Sequence, residues 1–472
     1  MMRLVPRRSR TWILVLLLLL VLAGALSYLL WRQSVPDVRV TAAPRRFVGQ
    51  KTPLTFLIEA ARGNVARAEV RVVQGDQPVV VVKREEPLGP RAEIAVTLEP
   101  AAVGLREGEA TIEVWARDDF WRPLPARQRA AASYPVTIDL TPPTLDVVAS
   151  TRYLAPGGAA LVVVRAGDAA RAETRVGALA FPTFPLGAPG TRVGFFALPY
   201  DYASGTPITV TAEDEAGNST SRGISAEVLP RRFRRERIEI KDAFLQAKIP
   251  ELLPQHPASR PLLDAFLVIN REQRRQAEAE KRRLAVKTAE RPLWEGPFLQ
   301  PRNTKVFSNF AETRTYVYAG RDVDTQVHFG YDLASTRQAP VPAANSGTVV
   351  FTGPLTIYGN TIILDHGLGL MTLYGHLSTI AVNVGDHVAK GQEIGRTGTT
   401  GLAIGDHLHY EVLVHGVSVT PLEWWDAKWI RDRISEPLAA AGLSPIGSAD
   451  SRDRAPRPAA VPAPRPGPRR TR

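Results

Sequence analysis

The 472-residue chain contains no cysteine. That excludes a disulfide scaffold, a thiol nucleophile and any Cys-ligated zinc site. It leaves the compartment open, because a chain without thiols is indifferent to redox conditions. Acidic residues are scarce at both ends: residues 1–10 hold four Arg and no acid, and residues 452–472 hold seven Arg against one Asp. These ends supply +10 of the net +12, so the middle of the chain is nearly neutral. A nucleic-acid-binding face needs its charge on the fold itself, so no nucleic-acid partner is expected. Hydrophobic residues at 44% and charged residues at 22% exclude a wholly disordered chain. The length suits roughly three domains of about 150 residues. Histidine is rare but concentrated, with seven of eight lying between His328 and His415. The chemistry belongs in that window.

Residues 1–11 form a basic segment ahead of an apolar run, Trp12 to Leu30, interrupted only by Gly24 and Ser27. At 1.5 Å per residue this run spans about the hydrocarbon core of a bilayer. It ends in Tyr28-Leu29-Leu30-Trp31-Arg32, without the small residues of a cleavage site, so residues 12–31 read as an uncleaved, single-pass signal-anchor. The Arg cluster before it predicts a cytoplasmic N-terminus, with the bulk of the chain outside the cytoplasm. From 36 to 230 short alternating segments such as Ala68–Val73, Ala110–Ala116 and Ile208–Ala212 are broken by Gly, Pro and Asp. Such spacing predicts two β-sandwiches, 36–139 and 140–230. Ala212–Asn218 resembles the closing strand of bacterial immunoglobulin-like domains, and Asp139–Pro143 the linker between them. No catalytic constellation appears there, which favours a spacer or docking module.

Residues 231–295 read as a short helical connector. Phe244, Leu245, Ile249, Leu252 and Leu253 fall at helical spacing, as do Leu262, Leu263, Phe266, Leu267 and Ile269. Pro250, Pro254, Pro257 and Pro261 are expected to break it into pieces. Arg271–Lys287 is charged with few apolar residues, which suits a solvated helix or connector. The apolar positions need a surface to bury against, either the second sandwich or the C-terminal domain. Residues 296–436 return to a β pattern, and 440–472 are a Pro/Ala/Arg tail too polar to fold.

Three segments carry the chemistry: Val327–Leu333, Leu373–Ser378 and Asp406–Val412. Strand alternation would put His328, Gly330 and Asp332 on one face of the first, with Gly330 leaving space for a metal ion. The same alternation aligns His407, His409 and Glu411 in the third. Three His and one Asp on polar strand faces match the ligand chemistry of zinc, whose catalytic sites take three protein ligands and keep an open position. There are more candidates than three ligands require, and spacing alone does not choose among them. Either pair alone is usually structural; clustered in one β domain, the pairs point to a metal. His366, His387 and His415 read as turn or strand-end residues outside the site.

These segments, with the frameworks Gly359–Gly367 and Val384–Gly395, resemble the lysostaphin-type (LytM-type) zinc peptidases, which cut peptide bonds in peptidoglycan. The resemblance covers about 300–425 and implies an antiparallel β groove related to barrel-sandwich carrier domains. It implies His328, Asp332 and His409 as ligands of one zinc ion, and His376 and His407 as the residues that handle protons and stabilise the oxyanion. Asp406 stands where the family often has Pro. A carrier domain is rejected, since Lys390-Gly391 lacks a swinging-arm setting and the histidines would go unexplained. The expected protein is mainly β: an anchor, two immunoglobulin-like sandwiches, a helical connector and a C-terminal peptidase domain. It would sit in the inner membrane and face the periplasm, with peptidoglycan as substrate and the sandwiches available to envelope proteins. The competing expectation is a non-catalytic scaffold that activates a wall amidase. The five filled positions count against it.

Overall fold

A computed structural model describes residues 8–42, 45–124, 129–257 and 259–446. The basic segment at 1–11 falls outside these residues up to 7, and the tail at 440–472 from 447 onward. The fold is mostly β and divides into two compact units. One holds residues up to 146 with 166–172 and 211–222; the other holds 147–165, 173–210 and the chain from 223 onward.

The first unit opens with a helix, Arg8–Ser34, in which Trp12–Ser34 is long and apolar enough to cross a membrane and is nowhere buried in protein. A three-stranded sheet follows, with Thr52–Ala60 between Val38–Thr41 and Arg91–Leu98, and a five-stranded sheet centred on Gly108–Asp118. Thr52–Ala60 alternates buried and exposed because every second side chain faces one core. Phe56, Ile58 and Ile94 of the smaller sheet meet Val70, Ile112 and Val114 of the larger there.

In the second unit, the central sheet runs Lys305–Ser308, Tyr331–Ala334, Leu408–Val414, Leu370–Gly375, Asn360–Asp365, Gly347–Pro354 and His387–Val388. Leu408–Val414, in the middle, is buried on both faces. A smaller sheet joins Arg235–Glu239, Glu312–Tyr318 and Arg321–His328. The first of these strands comes from the segment read as a connector, and its Ile238 lies opposite Tyr316.

Three helices complete that segment: Asp242–Leu252, Leu262–Val268 and Arg274–Ala285. Pro250, expected as a breaker, lies inside the first, and the interruption comes between Leu252 and Leu262. Leu245, Ile249, Phe266 and Ile269 pack with Tyr316, Ile357, Ile363, Met371 and Leu413, so these helices share the core of the C-terminal sheet. Arg271–Lys287 is not a solvated helix throughout. Ala277, Lys281 and Ala285, spaced by four, form a buried stripe. Gly416 permits the approach: it holds φ +78°, and a Cβ there would lie 2.6 Å from the Arg282 Cα.

Glu423, in the helix Pro421–Trp425, is largely covered within this unit, with 11% of its side chain exposed. Its oxygens accept from the Ala159 amide at 2.8 Å and face Arg231 at 3.4 Å. Burial outweighs these partners and lifts the carboxyl to about 7. Because the folded pKa exceeds the unfolded one, the folded state binds the extra proton, and stability falls as pH rises from about 4.5 to about 7. At 1.36 kcal/mol per unit the loss is on the order of 3 kcal/mol. Glu423→Gln should therefore flatten the fall of Tm between pH 5 and 8 relative to the wild type. Parallel profiles would contradict this.

Candidate metal centre and cleft

The strand Arg321–His328 ends at its histidine, and after Phe329-Gly330 the chain starts a strand in the other sheet, Tyr331–Ala334. His328 and Asp332 thus sit on two strands rather than one. Gly330 serves the adjacent strand: a Cβ there would lie 2.6 Å from the Tyr410 carbonyl oxygen and 2.7 Å from the His409 ring. Register places Asp332 directly opposite His409, with Gly375 opposite His409 on the other side.

The result is a buried group of three, His328, Asp332 and His409. His328 Nε2 lies 3.0 Å from Asp332 Oδ1, His409 Nδ1 lies 2.9 Å from the same oxygen, and the two nitrogens are 3.1 Å apart. The outward partners fix what these atoms carry. His328 Nδ1 donates to the Asn309 carbonyl at 2.9 Å, and His409 Nε2 donates to Glu411 Oε1 at 2.9 Å. In the neutral rings, Nε2 of His328 and Nδ1 of His409 are then lone pairs aimed at each other and at a carboxylate oxygen. Three acceptors meeting at such distances call for a cation, and two nitrogens with one carboxylate oxygen suit zinc. Arg314 holds the other Asp332 oxygen at 2.8 Å. Burial drives His328 down to about 4, the neutral form a ligand requires.

His376 and His407 stand beside this group, their ring centroids 4.8 Å apart. Each Nδ1–H donates to a carbonyl, Thr400 at 2.8 Å and Gly405 at 2.7 Å, leaving each Nε2 as the acceptor. His407 Nε2 is 3.5 Å from Asp332 Oδ1. His376 has φ +62°, a strained conformation for a residue with a Cβ, and its amide is held by the Tyr358 carbonyl at 2.7 Å. Asp406 is no ligand; it accepts from Thr397 Oγ1 and the Gln338 amide, tying down the loop before His407. All five histidine and aspartate positions open on one cleft of about 580 Å³. Ile240 and Phe244 line one part of it and Leu402 and Ile404 another, with Phe307 packed edge-on to His407.

His366, His387 and His415 stay outside. His366 bonds Ser346 and Thr372, His387 bonds Thr348, and His415 stacks on Phe184.

Residues 326–421 match the model of Peptidase family M23. The chain carries an M23 peptidase domain. The M23 domain is 38% identical over 119 residues to the peptidoglycan DD-endopeptidase ShyA of Vibrio cholerae, a match covering 25% of this chain and 27% of that protein. It is 39% identical over 97 residues to the DD-carboxypeptidase/endopeptidase Mpg of Neisseria meningitidis, covering 21% and 22%. Among solved structures, the catalytic domain of lysostaphin from Staphylococcus simulans is similar at 29% identity, with a TM-score of 0.23, covering 26% of this chain and 92% of that domain. The chain thus spans about a quarter of the length of the curated relatives it matches.

Four partners of the M23 site carried no assignment from sequence. Glu411 is visible in the alternation, and its bond to His409 explains its place. Arg314, Tyr358 and Lys281 sit in segments with no motif, and only the fold brings them to the site.

Proposed function

We propose that this chain is a zinc metallopeptidase that hydrolyses peptide cross-links of peptidoglycan during wall remodelling. The observation that carries this reading is the convergence of three lone-pair donors beside two further histidines with free Nε2 atoms. His328, Asp332 and His409 would hold the ion. Relatives of the M23 domain are named for endopeptidase action on peptidoglycan, which supports that substrate. When bound, zinc supplies Lewis acidity, which lowers the pKa of a coordinated water and polarises a carbonyl.

The chain's own residues do the rest. Amide hydrolysis forms a C–O bond from water to the scissile carbon, moves a proton off that water and delivers one to the leaving nitrogen as the C–N bond breaks. His376 Nε2 and His407 Nε2 are placed to accept and return that proton: one takes it as base, and a ring in its protonated form donates Nε2–H to the developing oxyanion. Their Nδ1–H anchors on Thr400 and Gly405 keep both acceptors turned to the cleft. His376→Ala and His407→Ala should each retain zinc and lose about 10²–10⁴-fold in rate. Loss of zinc from either would exchange its role with a ligand.

The apolar helix supports an inner-membrane anchor, with the M23 domain in the periplasm and the β regions 36–139 and 140–230 as spacers. Mass analysis of the purified mature protein tests the anchor. The intact N-terminal segment is expected; a mature chain beginning near residue 32 would show a cleaved signal instead.

A further inference from the structure

Lys281 has no exposed surface and lies in the middle of the helix Arg274–Ala285. Its ammonium reaches Glu411 Oε2 at 2.9 Å, Glu278 at 2.6 Å, Ser418 Oγ at 3.1 Å and the Tyr358 hydroxyl at 3.3 Å. Glu411 is equally buried, and its other oxygen accepts from His409 Nε2 at 2.9 Å. Tyr358 also lies against the ligand, its ring centroid 5.0 Å from that of His409. A buried ion pair is seldom the cheapest way to fill a core, because desolvating two charges offsets most of their attraction. Replacing such a pair by apolar residues of similar volume is often neutral or stabilising. A network retained at that cost, ending on a metal-site histidine, calls for a role other than stability.

We propose that Lys281 is a positioning residue for the metal site, acting through Glu411 on His409. It holds the Glu411 carboxylate in place, so that Oε1 takes the His409 Nε2–H and Nδ1 presents its lone pair to the ion. Carboxylate partners of this kind orient ligand histidines and raise their basicity. Here the carboxylate is itself set by a cation from a helix outside the matched M23 residues, 326–421. The tight seat of that helix on Gly416 fixes where the ammonium lies. The segment expected to be a connector thus furnishes the outer part of the metal centre. This rests on the zinc reading above.

The test is zinc affinity of the full chain, measured by competition with a chromophoric chelator at fixed pH, alongside the zinc-induced rise in Tm. Lys281→Met should weaken zinc about 10–100-fold, the range found when such partners are removed. Adding Glu411→Gln should recover at least half of that loss on a logarithmic scale, since the amide oxygen still accepts from His409 without an unmatched buried charge. Glu411→Gln alone, which keeps the Lys281–Glu278 pair and the side-chain shape, should weaken zinc about tenfold and serves where Lys281→Met does not fold. A merely structural brace would lower Tm equally with and without zinc. Zinc affinity within twofold of wild type in Lys281→Met, or in Glu411→Gln where that variant stands in, would overturn the proposal while leaving the zinc reading intact. A wild-type chain that binds no zinc would overturn both.

Discussion

Alanine at His409 should empty the metal site and abolish hydrolysis of peptidoglycan. His409 supplies one of three converging donor atoms, 2.9 Å from Asp332 Oδ1 and 3.1 Å from His328 Nε2. Without it, two of the proposed ligands remain, and the buried Glu411 Oε1 loses its donor. Zinc held there would supply the Lewis acidity that lowers the pKa of a coordinated water, so a variant without it should not hydrolyse at neutral pH. Elemental analysis should give one zinc per wild-type chain and a small fraction of that in His409→Ala. Asp332→Ala should behave alike, and it additionally strands Arg314, whose guanidinium bonds the second Asp332 oxygen. Full zinc occupancy in His409→Ala would show that the ligand set is wrong.

The second large effect concerns where the working peptidase begins. A chain starting at residue 296 keeps all five site residues but loses the strand Arg235–Glu239 and the three helices. Ile240, Leu245, Ile249, Phe266 and Ile269 are each at most 5% exposed and pack against the C-terminal sheet. At about 2 kcal/mol for each large side chain, the lost burial is on the order of 10 kcal/mol, comparable with the whole stability of a domain. Removal also takes Lys281 from Glu411 and uncovers the cleft wall at Ile240 and Phe244. The fragment 296–446 should aggregate or melt without cooperativity, while 147–446, which keeps the whole of the second unit, should bind zinc and cut sacculi. Equal activity of the two would show that the helices are dispensable.

How far this was legible from sequence depends on the length scale of each interaction. His328, Asp332, His376, His407 and His409 were readable because each lies in a short motif with residues that fix its strand or turn. The β character of the C-terminal region was readable for the same reason. The helices of 242–285 showed in their apolar spacing, and so did their need for a surface. That their surface is the peptidase sheet was not decided, because nothing local distinguishes one apolar partner from another. Lys281 was invisible. In a run of Arg, Lys and Glu, a charged side chain ordinarily faces water, and only Ala277 and Ala285 four residues either side mark the buried stripe. Gly330 was read as room for an ion, whereas it makes room for the ring of His409. The reading erred because the close neighbour lies 79 residues further along the chain.

Digestion of purified sacculi tests the central claim most directly. The zinc-loaded chain should convert cross-linked muropeptides to monomers by cleaving peptide bonds, with glycan strands intact. The chelated chain should be inactive and recover on adding zinc, and His376→Ala, carrying zinc, should release less than about a hundredth as much. A zinc-loaded wild-type chain that releases no peptide fragments, or one that cuts equally well after chelation, would contradict the assignment.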